Sequence, residues 1–419
     1  MVAALCVPLI TGPEMYGVYT YVMVSIGFVI PVTSMGFGAG TVYLLSAKRF
    51  NVEEVLWTKL LLAVGMAFGN SFIFYLAIHL NWLGKILTSV SVIESALLVG
   101  IIFCQTLSFF AGRVLYGIAN FSALNRLDLI TGWLNPVCII LAFIFWPEGG
   151  RVTVFSAVLV FSFMVMMGYF LKFCKQPFQK QINRNYLSES FHYGYKSWFG
   201  DIALRANLRM DQLLLGWFVP AAALGVYSLG VRLVEIIWYI PDSVGPVLFN
   251  RLAVLTDPSL RLETLAKSHR LVWTVCILIT VLWSACIYGI LLPWFFNNSY
   301  SDLFIPYLIL LPGTLLFITY KMATKLFSSG GQVILTSYIA IGGSFISIVL
   351  SLLWIPHLGI YGAAWASTLA YISMGLMAWG FLKLEYQNIN LSFFVVKQED
   401  VAELKSGLKK IFMSKSTAQ

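Results

Sequence analysis

Of the 419 residues, 59% are hydrophobic and only 11% are charged, with a mean hydropathy of +0.84. A soluble domain carries about a quarter of its residues as charges, so this composition excludes an ordinary soluble enzyme or binding module. The net charge of +9 sits in short loops and at helix ends, which does not point to nucleic acid.

Several apolar stretches exceed the roughly 20 residues that a helix needs to cross a bilayer. They run unbroken, without the short alternation of barrel strands, so the expected fold is an all-α membrane bundle. Residues 1–10 are apolar but cover about half a crossing, and they lack the basic leader of a secretory signal. They read as the end of a first helix that begins upstream. Eleven full spans follow at 16–45, 55–79, 92–118, 126–146, 151–174, 191–218, 225–250, 271–296, 302–327, 332–355 and 359–384, giving twelve helices with the first partial.

Lys and Arg orient the bundle. One set of loops holds Lys48, Arg49, Arg126, Lys175, Lys180, Arg184, Arg251, Arg261, Lys267 and Arg270, and the tail adds Lys397, Lys405, Lys409, Lys410 and Lys415. The alternate loops hold Lys85 and Arg151. The first set is expected in the cytoplasm, which makes this a multi-pass membrane protein with a cytoplasmic C-terminus. The tail (385–419) places Val401, Leu404, Leu408, Ile411 and Phe412 at helical spacing between lysines. It reads either as an amphipathic helix on the anionic leaflet or as a solvated tail.

The six cysteines (Cys6, Cys104, Cys138, Cys174, Cys276, Cys286) form no CxxC, and the four histidines are dispersed. No metal site and no cofactor are expected.

The two halves resemble each other. Pro13 leads into Gly17-Val18-Tyr19-Thr20, and Pro220 leads into Gly225-Val226-Tyr227-Ser228, with prolines at 31 and 241 interrupting the helices that follow. Leu115-Tyr116 and Gly132 match Leu326-Phe327 and Gly343, and Pro147 matches Pro356, all at nearly one offset. A repeat of six helices is even, so both copies share one orientation about a pseudo-twofold axis along the membrane normal. Such repeats are common in transporters, with the substrate path between the halves, although duplication also occurs in proteins that transport nothing. The expected division is an N-terminal lobe (1–174), a cytoplasmic linker (175–190), a C-terminal lobe (191–384) and the tail.

Three motifs make the resemblance specific. Gly12-Pro13-Glu14-Met15-Tyr16-Gly17-Val18-Tyr19 resembles the G-P-x-x-Y-G-x-Y pattern of bacterial polysaccharide flippases. The D-x-x-x-R-x-x-x-R-x-D run from Asp201 to Asp211, followed by the second G-V-Y, is similar to the same group, as is Gly359-Ile360-Tyr361-Gly362-Ala363-Ala364-Trp365-Ala366-Ser367. The group is the Wzx-type O-antigen flippases, in the superfamily that also holds multidrug extruders and the lipid II flippase. The resemblance implies a V-shaped cavity between two six-helix lobes. It also implies alternating-access transfer of an undecaprenyl-diphosphate-linked oligosaccharide to the outer leaflet, with no enzymatic step. A coupling ion, H+ or Na+, and contact with a polysaccharide polymerase and chain-length regulator belong to the same expectation.

Ionisable residues inside spans are costly and by default face the bundle interior. Asp201, Arg205 and Arg209 share one helical face, with Asp211 beside them, and Arg232 and Glu235 lie one turn apart on the next helix. Arg209, Asp211, Arg232 and Glu235 lie at one depth and read as compensating ion pairs or, alternatively, as a proton-coupling set. Arg113, Arg205, Lys321 and Lys325 form a second set with only Asp201 as a nearby anion, and an excess of cations suits a diphosphate. For the two lysines, snorkelling to the interface is the competing reading. Tyr195, Trp198 and Trp238 are candidates to stack on sugars, against ordinary packing or a place in the aromatic belts. A drug or cation extruder would want an acidic cavity. A glycosyltransferase or polymerase would want a sizeable outer loop, and no G-x-x-x-x-G-K-[ST] loop supports ATP drive.

Overall fold

Long apolar segments in a bilayer must satisfy their amides internally. The computed structural model, which describes residues 2–87, 90–118, 121–173, 179–296, 298–386 and 393–394, is accordingly helical, with no strand among the described residues. Its helices are α1 (Val2–Thr33), α2 (Phe37–Ser46), α3 (Val52–His79), α4 (Val92–Gly117), α5 (Phe121–Phe145), α6 (Gly150–Phe173), α7 (Arg184–Phe218), α8 (Ala221–Glu235), α9 (Tyr239–Val254), α10 (Pro258–Cys286), α11 (Phe304–Ser329), α12 (Val333–Leu358) and α13 (Ile360–Glu385). Among the described residues, ten stretches are long and apolar enough to cross a membrane.

The differences from the expected spans have local causes. Residues 2–10 run into the next span, and α1 kinks at Gly12 (φ 73, ψ 173). Pro13 disfavours helical backbone at the residue before it, and glycine reaches the left-handed region freely. The span expected at 16–45 is two helices, because the chain turns through Gly36 (φ 81) shortly after Pro31. A 3₁₀ turn (Ile236–Trp238) joins α8 to α9, and a π-helical stretch (Ile287–Phe295) extends α10. α7 starts at Arg184, so the second half of the expected linker is helical. Among the described residues α7 is the one long helix outside the set of ten, because charges interrupt its apolar face.

The repeat motifs pack on each other. A Cβ on Gly17 would strike the carbonyl of Ala221, and a Cβ on Gly225 would strike the carbonyl of Pro13. Since 13 and 17 correspond to 221 and 225, the contact is self-complementary, as a twofold axis demands. This α1–α8 seam is one of the most extensive in the molecule.

Buried side chains divide by level. At one end a single core joins both lobes, running from Tyr16, Ile101 and Phe155 to Leu224, Tyr227, Tyr307 and Ala363. At the end carrying the Lys/Arg-rich loops, hereafter the basic end, the cores are separate. Leu44, Leu45, Val55, Val114 and Tyr186 form one, and Leu248, Leu265, Phe327, Met374 and Leu382 belong to the other. The lobes are therefore joined at one end and parted at the basic end. Phe393 docks on His269 of α10, its carbonyl 3.3 Å from the ring Nδ1. The amphipathic stretch expected at 401–412 lies outside the described residues.

Candidate substrate cavity

α7 bridges the lobes, and small residues set its position. Gly194 meets Gly36 and Ser190 meets Gly40 on α2, Gly200 meets Ser337 on α12, and Gly216 meets Tyr21 on α1. These contacts turn the face bearing Asp201, Arg205 and Arg209 toward α4 and α8. On α4, Arg113 stacks over the ring of Phe109 at 4.9 Å and lies against Gly38. Its charge acts on both Asp201 and Arg205. Arg205 and Asp201 are exposed between the helices, and Arg205 makes no hydrogen bond or ion pair among the described residues. Two guanidiniums thus face each other from different lobes with one carboxylate between them in charge balance.

A turn further along α7, Arg209 pairs with Glu235 at 2.8 Å, and Arg232 reaches the other oxygen of the same carboxylate at 3.7 Å. Asp211 takes no part in this triad. It is 1% exposed, and its carboxylate accepts from the Tyr227 hydroxyl (2.5 Å), the Ser367 hydroxyl (3.0 Å) and the Gln212 amide (2.7 Å). The expected four-charge set is therefore a three-charge bridge plus a carboxylate held by neutral donors. Tyr227 comes from the second G-V-Y motif and Ser367 from the motif that opens α13, so all three motif regions of this lobe meet at Asp211.

The second expected set also divides. Lys321 donates to both carboxylate oxygens of Asp242, at 2.8 and 2.9 Å, and sits over the Trp238 ring at 4.9 Å. Lys325 lies across Gly245 and feels Asp242 and Lys321. Asp201 is thus not the only anion near this set: Asp242 on α9 neutralises Lys321. The electrostatic partners of Arg205 are Arg113, Asp201 and Arg209.

Two further residues escaped the sequence reading. Asp242 directly follows Pro241 within an expected span, which was the available signal. Lys59 lies near the start of α3, where a lysine passes for an interfacial one, yet it is 3% exposed. It donates to Thr41 Oγ1 at 2.6 Å and to the Phe37 carbonyl at 3.1 Å. Of the aromatic candidates, Trp238 is buried and donates to the Thr314 carbonyl, and Trp198 donates to that of Pro31, whereas Tyr195 is 45% exposed. Outside the helices, Asp257 caps α10, and the bonds from the Ser259 hydroxyl and amide hold its carboxyl below the usual carboxylate range. Among the described residues no group of acids, histidines and cysteines could hold a metal ion.

The fold is that of known transporters. One solved structure, an inward-facing multidrug resistance MATE family transporter of the MOP superfamily, superposes with a TM-score of 0.71 at 14% identity, over 92% of this chain and 94% of that one. The lipid II flippase MurJ in an inward closed conformation gives 0.73 at 11% identity, over 94% and 87%. An uncharacterized membrane protein of Methanocaldococcus jannaschii is 25% identical over 248 residues, 57% of this chain. The chain spans about half the length (48%) of that curated relative. The superfamily fold expected from the three motifs is the one observed. A family model described as polysaccharide biosynthesis protein matches residues 9–303, and the chain belongs to that family.

Proposed function

We propose that this protein is a flippase that carries an undecaprenyl-diphosphate-linked oligosaccharide from the inner to the outer leaflet of the bacterial inner membrane. The product would serve O-antigen or other surface polysaccharide synthesis. One observation supports the reading: Arg113 and Arg205, from different lobes, face each other with one carboxylate, Asp201, between them, which leaves one positive charge in excess. A diphosphate brings about two charges and several acceptors, which guanidiniums engage in bidentate fashion. A basic end in the cytoplasm, as the positive-inside bias implies, opens the cavity to the leaflet where such lipids are made. A drug cation is disfavoured by the same excess of positive charge. Asp211, held only by neutral donors, is the residue we assign to the coupling ion, H+ or Na+. Contact with a polymerase and chain-length regulator belongs to this reading as well.

The test is surface glycan in a strain lacking its own flippase, with membrane abundance measured in parallel. Arg205→Ala is expected to abolish surface glycan at normal abundance, and Arg205→Lys to restore part of it, because lysine keeps the charge and loses the fork. Full glycan from a well-expressed Arg205→Ala protein would overturn the diphosphate site.

A further inference from the structure

Beyond the arginines, the N-terminal lobe presents polar groups without charge. On α4, Gln105, Phe109 and Arg113 follow at one-turn intervals and share a face. Gln105 therefore stands two turns, about 12 Å, further from the basic end than Arg113. Its amide N–H reaches the Ser162 hydroxyl of α6 at 3.4 Å and the Met23 thioether of α1 at 3.6 Å, and its carbonyl accepts no hydrogen bond among the described residues. Tyr19 lies one turn from Met23 on α1, and its hydroxyl accepts from Asn135 Nδ2 of α5 at 2.7 Å. The other end of that amide, Oδ1, is buried with no partner. From the opposite lobe the charge of Arg232 acts on both Tyr16 and Tyr19, and Gln105, Tyr19 and Asn135 each keep part of their surface exposed.

The internal repeat sharpens the contrast between the lobes. Tyr227, which holds in the second copy the place of Tyr19, donates to the Asp211 carboxylate, and three donors together satisfy that carboxylate. In the first copy the tyrosine meets an amide instead, and one end of the amide is left unpaired. A buried acceptor without a donor is costly. A ligand hydroxyl that donates to Asn135 Oδ1, with a second that bonds the Gln105 amide, answers both groups. An anion does not: Oδ1 repels it, and Arg232, the cation that acts here, already shares Glu235 with Arg209.

We propose that Gln105, Asn135 and Tyr19 form a subsite for an uncharged sugar, the first of the glycan carried on the lipid diphosphate. The proposal rests on the transport reading and adds to it where the glycan lies. A diphosphate between Arg113 and Arg205 keeps its lipid toward the basic end, so the sugar it bears points along α4 to Gln105. Amide side chains suit hydroxyls because each offers donors and an acceptor. A site built on such groups selects its ligand, because the wrong one leaves them unpaired.

Binding to the purified full chain tests it, with undecaprenyl diphosphate and undecaprenyl-diphosphate-linked N-acetylglucosamine as the two probes. The sugar-bearing lipid is expected to bind about tenfold more tightly, the contribution of one or two hydrogen bonds. Asn135→Ala and Gln105→Ala should each lower that preference to about threefold, and the double variant should abolish it. In all three, undecaprenyl diphosphate should bind as before and the thermal midpoint should hold. Arg205→Ala should weaken both lipids alike and keep the preference. Equal affinity of the two lipids for the parent protein overturns the subsite and leaves the diphosphate site standing. Equal losses for both lipids in Asn135→Ala and Gln105→Ala also overturn it, because these residues would then shape the cavity without meeting the sugar. Tighter binding of a lipid bearing glucuronic acid in place of N-acetylglucosamine overturns the uncharged class. Failure of both probes to bind would overturn the transport reading, and the subsite with it.

Discussion

At the scale of single residues the cavity holds two kinds of charge. Arg113 and Arg205 have Asp201 between them but, among the described residues, no direct ion pair, whereas Arg209, Arg232 and Glu235 form a bridge in which one carboxylate serves two arginines. The bridge is half-buried, with 17% of the Glu235 side chain and 27% of the Arg209 side chain exposed. Its loss should therefore fall between the values for surface and buried pairs, about 1–3 kcal/mol. Glu235→Gln is expected to cost most, because it strands two guanidiniums. Arg232→Ala should cost least, being 52% exposed and 3.7 Å away. Thermal unfolding in detergent gives the order, and a double Arg209→Leu, Glu235→Leu variant should recover part of the loss. Equal effects from Glu235→Gln and Arg232→Ala would show that the bridge is not the source. The sequence placed all three residues at one depth by counting along helices. It could not show that Asp211, two positions from Arg209, turns away to Tyr227 and Ser367, because that depends on where α8 and α13 lie.

At the scale of elements, the existence of the helices was legible and their interruptions were less so. Composition gives the spans because a bilayer leaves the backbone few choices. The turn at Gly36 and the kink at Gly12 follow from glycine and proline chemistry, but which proline breaks a membrane helix and which is absorbed depends on neighbouring helices. Pro31 is followed by a break, whereas Pro136 and Pro312 stay within α5 and α11. The repeat could be read from spacing alone. Its purpose could not, since only the structure shows that the two glycines let α1 and α8 touch backbone to backbone. Gly17→Ala and Gly225→Ala should each force that seam apart and cost about 1–3 kcal/mol. Gly65 on α3 has open space where a Cβ would stand, so Gly65→Ala should be neutral or stabilising by up to about 1 kcal/mol. Thermal midpoints of the three variants separate packing from helix propensity. A Gly17→Ala protein as stable as the parent would mean that the seam does not set the distance between the lobes.

At the scale of the whole molecule, shared and separate cores define one state of a two-lobed machine. The core is continuous at one end, and at the basic end two separate cores lie apart with α7 packed between them. The charged face of α7 should therefore be reachable from the basic side alone. In a background with the six cysteines replaced, Lys180→Cys and Lys267→Cys report the basic side, and Ser299→Cys reports the opposite side. An impermeant thiol reagent added to intact cells should label Ser299→Cys and spare the other two. Applied to inside-out vesicles, it should label the two lysine positions together with Asp201→Cys, whose site is exposed in the cavity. Labelling of Lys180→Cys in intact cells would invert the orientation and remove the link between cavity opening and the cytoplasmic leaflet. Labelling of Asp201→Cys from both sides at comparable rates would instead mean that the lobes exchange between two openings without substrate. The joined core of Tyr16, Tyr227 and Tyr307 would then be one of two resting arrangements, and capture at Arg205 would have to be tested in each.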